Sequence, residues 1–118
     1  MKTLESTEQI QLMRWVAYQS GTYPELDLLY HVPNGGSRNK IEAHNLKLQG
    51  VKAGVPDLCL PVARGKYHGL YIEMKVGKNK PSEHQKKWLQ ALREQNYRAE
   101  VAYGWEAASK ILMEYIKS

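Results

Sequence analysis

Cysteine occurs once in the 118 residues, as Cys59, so no disulfide can form within the chain. That excludes a disulfide-stapled scaffold and fits a reducing, cytoplasmic setting. Cys59 sits inside the apolar run Leu58-Cys59-Leu60 and reads as a small buried hydrophobe. No apolar stretch approaches the roughly 18 residues a membrane-spanning helix needs, and Met1-Lys2-Thr3-Leu4-Glu5 has no signal-peptide apolar region. Neither a membrane partner nor export is therefore expected. Repeats, linkers and low-complexity segments are missing, which leaves one domain over residues 1–118. His44, His68 and His84 lack the spacing to a second ligand that a zinc site needs. What remains is 42% hydrophobic and 25% charged, an ordinary globular composition.

The formal net charge of +5 is unevenly placed. Residues 64–98 hold nine Lys and Arg against Glu73, Glu83 and Glu94, whereas residues 1–63 balance at six against six. A solvated lysine-rich surface explains such a bias. So does a polyanion held around one chemical site.

Punctuation and periodicity divide the chain into eight elements. A first helix is expected from about Thr7 to Gln19, with Ser6 and Gln9 at capping-box spacing and Ile10, Met13, Val16 and Ala17 as its apolar stripe. Asp27 to Val32 reads as a strand, Pro33 to Ser37 as a loop, and Asn39 to Leu48 as a short helix stopped by Gly50. Two apolar runs, Asp57 to Val62 and Leu70 to Val76, read as an antiparallel pair. A helix follows from Pro81-Ser82, with Ser82 and Gln85 as its capping box and Trp88, Leu89 and Leu92 buried. Arg98 to Tyr103 alternates as a strand, and Trp105 to Ile116 repeats as an amphipathic helix through Ala108, Ile111, Leu112 and Tyr115. The order α-β-α-β-β-α-β-α describes an α/β sandwich around a small mixed central sheet.

Three polar residues interrupt the strands that otherwise read as core. Asp57 follows Pro56 in Val55-Pro56-Asp57-Leu58, and Glu73 and Lys75 lie in Ile72-Glu73-Met74-Lys75. The strand period of two puts Glu73 and Lys75 on one face, and pairing brings Asp57 towards them. Buried acids are costly unless paired or bound to a cation. A plain salt bridge to Lys75 is one explanation. The other is a pair of hard oxygen ligands with an ammonium beside them, the equipment for metal-assisted phosphodiester hydrolysis.

Five segments in this order resemble the PD-(D/E)XK nuclease superfamily and, within it, stand-alone VRR-NUC domains of bacteriophages and bacteria. They are Thr7-Glu8-Gln9-Ile10-Gln11, His31-Val32-Pro33-Asn34-Gly35-Gly36, Gly54-Val55-Pro56-Asp57-Leu58, Ile72-Glu73-Met74-Lys75, and Gln85-x-x-Trp88-x-x-x-Leu92. The resemblance implies a restriction-endonuclease-like fold and metal ligation by Asp57, Glu73 and the Met74 carbonyl. It also implies a Lys75 that orients or deprotonates the attacking water, with Glu8 and Gln85 completing the catalytic set. Magnesium is the cofactor implied, with manganese as a substitute. The expected activity is a structure-selective DNA endonuclease leaving 5′-phosphate and 3′-hydroxyl ends, of the Holliday-junction-resolving kind and acting as a homodimer on branched or duplex DNA. A flap, nicking or restriction-like nuclease, and a catalytically silent branched-DNA-binding module, are the alternatives. Around the site, His31, Asn34, Gly35 and Gly36 are candidates for the mouth that meets substrate. Lys78, Lys80, Ser82 and Lys86 are candidates for phosphate contacts.

Overall fold

A computed structural model of the chain describes residues 2–33 and 39–118. The elements are α1 (Lys2–Gln19), a 3-10 turn (Pro24–Leu28), β1 (Tyr30–His31), α2 (Lys40–Leu48), β2 (Leu58–Leu60), β3 (Leu70–Lys75), α3 (Glu83–Glu94), β4 (Arg98–Tyr103) and α4 (Trp105–Lys117). They build one mixed sheet in the order β1-β2-β3-β4. The first two pairings are antiparallel, and β3 runs parallel to β4 through the α3 crossover. The expected α/β sandwich and element order are those observed. None of the described helices is long and apolar enough to cross a membrane.

Alternation along β3 assigns the two faces. Leu70, Ile72 and Met74 join Leu58 and Leu60 in the main core under α1 and α4, with Leu12, Val16, Leu112 and Tyr115. Each buried Leu or Ile there contributes about 1.5–3 kcal/mol of transfer free energy. The Tyr115 hydroxyl donates to the Val62 carbonyl at 2.6 Å, so its one polar atom is satisfied inside that core. The other face is a smaller cluster in which Leu89, Leu92 and Trp88 of α3 meet Tyr71, Ala99 and Val101. Glu73 and Lys75 continue that second face towards the end of β3.

Local departures have local causes. Helix α1 begins at Lys2 rather than Thr7. Nothing between Lys2 and Ser6 breaks a helix, and Glu5 suits the positive end of its dipole. Its buried line is Leu12 and Val16, whereas Ile10 is 54% exposed. Glu8 lies on that same line, one turn before Leu12. The expected strand at 27–32 shrinks to Tyr30–His31, because Pro24 starts a 3-10 turn that buries Leu26. In α3 the capping box forms in both directions.

Candidate active site

Strands β2 and β3 pair Leu58 with Ile72, and one further step of that register sets Asp57 across from Glu73. The backbone ladder stops there, since Pro56 has no N–H to contribute. The Asp57 side chain continues it: its Oδ2 accepts from the Met74 N–H at 2.8 Å. On the other side, the Asp57 carbonyl accepts from the Val32 N–H at 2.7 Å, with His31 Nδ1 3.0 Å away. Asp57 is thus held by both neighbouring strands, its side chain engaging β3 through Oδ2.

Glu73 is 2% exposed and Lys75 9%. Glu73 Oε2 accepts from Gln85 Nε2 at 3.0 Å and faces Lys75 Nζ at 3.6 Å. Its other oxygen, Oε1, is buried with no hydrogen-bond partner among the described residues. The register places the Asp57 carboxyl near enough for its charge to act on Glu73. Burial, then the Asp57 charge, pushes the Glu73 carboxyl up to about 8, with Lys75 opposing. A simple ion pair would not leave Oε1 orphaned, nor place a second acid against it. Two crowded acids and a free buried oxygen instead suit a shared proton or a cation.

Backbone alternation supplies one more oxygen. The Gly69 and Lys75 carbonyls accept from the β4 side, at Arg98 and Gly104. The intervening period of two turns the Met74 carbonyl to the opposite edge, the edge where Asp57 sits. Among the described residues no group of three or more His, Cys, Asp or Glu gathers to hold a metal. A cation here would rely on Asp57, Glu73, the Met74 carbonyl and water. That hard-oxygen set fits magnesium, which keeps several of its waters.

The first turn of α3 fixes Glu73. Gln85 Oε1 accepts from the Ser82 N–H at 2.8 Å while its Nε2 donates to Glu73, so one amide both caps the helix and orients the acid. Ser82 Oγ is spent accepting from the Gln85 N–H at 3.2 Å. Gly54 seats the preceding loop against the same turn: its φ is +93°, and a Cβ there would stand 2.6 Å from the His84 carbonyl carbon.

The remaining sequence candidates spread outwards. Glu8 Oε1 accepts from the Trp105 N–H at 2.8 Å, at the N-terminus of α4 and beside Gly104, so its carboxylate is turned to that helix end. His31 is exposed at the rim beside Asp57. Lys78 and Lys80 are exposed on the loop after β3, and Lys86 pairs with Glu83 at 3.2 Å on the surface. Asn34, Gly35 and Gly36 lie outside the described residues.

The profile of the VRR-NUC domain family matches residues 3–106. The chain belongs to the VRR-NUC family. A solved structure named VRR_NUC domain protein is 36% identical, with a TM-score of 0.84, and the match covers 97% of this chain and 88% of that one. No curated protein matches the chain. Membership makes this a nuclease-family domain, and its VRR-NUC fold carries the acid pair at the junction of β2 and β3. Two contributors to the site were not assigned a role from sequence: Gly54, and the backbone of Trp105. The glycine just before Val55-Pro56-Asp57 was a usable signal. A main-chain amide 97 positions from Glu8 leaves none.

Proposed function

We propose that this VRR-NUC domain is a metal-dependent, structure-selective DNA endonuclease of the Holliday-junction-resolving kind. The observation that carries the proposal is the buried, unpartnered Glu73 Oε1 set against Asp57, with Lys75 on the same face. Asp57, Glu73 and the Met74 carbonyl would hold magnesium, or manganese in its place. When bound, the cation supplies Lewis acidity at the scissile phosphate and charge for the leaving oxygen.

The chain's own residues do the rest. Gln85 holds the Glu73 carboxylate through Oε2 and so leaves Oε1 for ligation. The Met74 N–H locks Asp57 Oδ2 and leaves its other oxygen for ligation. Lys75 Nζ orients the attacking water and neutralises charge gathering on the phosphate. As the water oxygen bonds to phosphorus, the bond from phosphorus to the 3′ oxygen breaks, giving a 5′-phosphate and a 3′-hydroxyl. The basic stretch 64–98 holds the polyanion around the site. One chain presents one site, and a four-way junction has approximate two-fold symmetry, so a homodimer is the assembly suited to cutting opposed strands.

Cleavage of a labelled four-way junction, a flap and a linear duplex, each with magnesium and with chelator, tests this directly. Metal-dependent cutting of the junction in preference to duplex, lost in Asp57→Ala, is expected. Salt-sensitive binding without cutting under any divalent cation would leave only a DNA-binding module.

A further inference from the structure

Helix α2 is built as a helix but packed as an arm. Asn39 Oδ1 accepts from the Glu42 N–H at 2.8 Å, and after the helix the Gly50 and Val51 amides return to the Lys47 and Leu46 carbonyls. Gly50, with φ +106°, provides the left-handed residue that ends it. Yet none of its nine residues is buried, and Leu46 alone is half-buried. An isolated helix this short is marginal in water, and among the described residues it is held by local caps with no buried side chain of its own.

Its position is informative. Strand β1 ends and β2 begins side by side at the catalytic end, where the Val32 N–H meets the Asp57 carbonyl. The whole excursion carrying α2 therefore leaves and rejoins the sheet beside Asp57. Gly54 pins its returning limb to His84, next to Gln85. The arm is rooted in the walls of the site.

Its charge says what it meets. Lys40, His44 and Lys47 recur at i, i+4 and i+7, all exposed, on one side of the helix. The helix's single acid, Glu42, is about half a turn away. Among the described residues neither lysine is in an ion pair. Lys52 adds a further exposed charge on the returning limb. From Lys40 to Lys47 the rise is ~10 Å, about three nucleotide steps along one strand.

Ile41 and Leu48 are also exposed, at 75% and 73%, on the neighbouring stripe. A second copy laid antiparallel on that stripe by a two-fold axis would bring both sets of Lys40, His44 and Lys47 to the same side. That like-charge arrangement disfavours self-pairing through α2.

We infer that α2 is a DNA arm whose Lys40, His44 and Lys47 edge grips backbone phosphates flanking the cleavage point. The inference rests on the nuclease proposal and adds a contact surface separate from the basic stretch 64–98. Binding of a labelled four-way junction in chelator, measured over a range of salt, tests it without cleavage. The triple variant Lys40→Ala/His44→Ala/Lys47→Ala is expected to bind about 10-fold or more weakly. Its log–log salt slope should be shallower by about 2, the loss of two phosphate contacts. Lys40→Arg/Lys47→Arg is expected to keep the wild-type slope. An unchanged affinity and slope in the triple variant, while wild type binds and cleaves, overturns the arm and leaves the nuclease proposal standing. Sedimentation of Ile41→Glu/Leu48→Glu is expected to match wild type. Dissociation of a dimer by that pair would make α2 an interface between copies and overturn the inference as well. Failure of wild type to bind or cleave any DNA would instead defeat the nuclease proposal itself.

Discussion

The face of the sheet under α1 and α4 and the face under α3 are supplied by alternate residues of the same strand. On the first, β3 contributes Leu70, Ile72 and Met74 to a closed apolar core in which the buried Tyr115 hydroxyl is satisfied. On the second it contributes Tyr71, Glu73 and Lys75, and apolar packing gives way to a buried acid with an orphaned oxygen. The first face holds the strand in register. The second uses that register to keep an unfavourable group where it is. Gln85 and Lys75 satisfy one oxygen of that carboxylate, and the other is left without a hydrogen-bond partner among the described residues.

Substitutions on the two faces should therefore separate activity from stability. Lys75→Ala is expected to lower metal-dependent cleavage by about 10²–10⁴-fold while the melting temperature changes little. A Lys75→Ala protein that cleaves at the wild-type rate removes that residue from the mechanism. Leu112→Ala on the opposite face should cost about 2–5 kcal/mol in urea unfolding, with cleavage per folded molecule largely kept. Equal loss of both properties would mean that the two faces are not separable.

The acid pair also gives the site a pH signature. Glu73 is raised from its ordinary 4.5 to about 8, so the metal-free folded protein binds a proton there more tightly than the unfolded chain does. Its contribution to stability is fullest below about 4.5 and is lost as pH rises through about 8. In chelator, wild type should lose about 4 kcal/mol more than Glu73→Gln between those limits. Parallel unfolding profiles for the two proteins across this range would refute the assignment.

The smallest expected effect concerns Glu8. Glu8→Ala removes the acceptor for the Trp105 N–H and should cost about 1 kcal/mol. Glu8→Gln keeps an acceptor oxygen and should recover most of that stability. If Glu8→Gln is stable but inactive, the acid also serves the chemistry. If it is stable and active, its part is to hold the start of α4, whose preceding residue Gly104 is bonded to the Lys75 carbonyl.

Much of the sheet was legible in one dimension because its signals are local. Strand β4 spans the predicted Arg98–Tyr103, and the Ser82–Gln85 cap forms as its spacing implies. The first strand was misjudged because Pro24 redirected a β-prone run into a 3-10 turn. The stripe of α1 is met at Val16, which is buried, and at Met13, which packs against the core. Ile10 and Ala17 face outwards because the core closes over the line through Leu12 and Val16 instead.

Order along the chain, the strand period of two and the types of the polar residues follow from covalent connectivity and local sterics. They were enough to single out Asp57, Glu73 and Lys75. The orphaned Glu73 oxygen, the double duty of Gln85, the turn of Glu8 towards α4 and the unpacked state of α2 belong to the fold alone. Each depends on groups that meet only after the strands pair and the helices dock, and on how much water that docking removes.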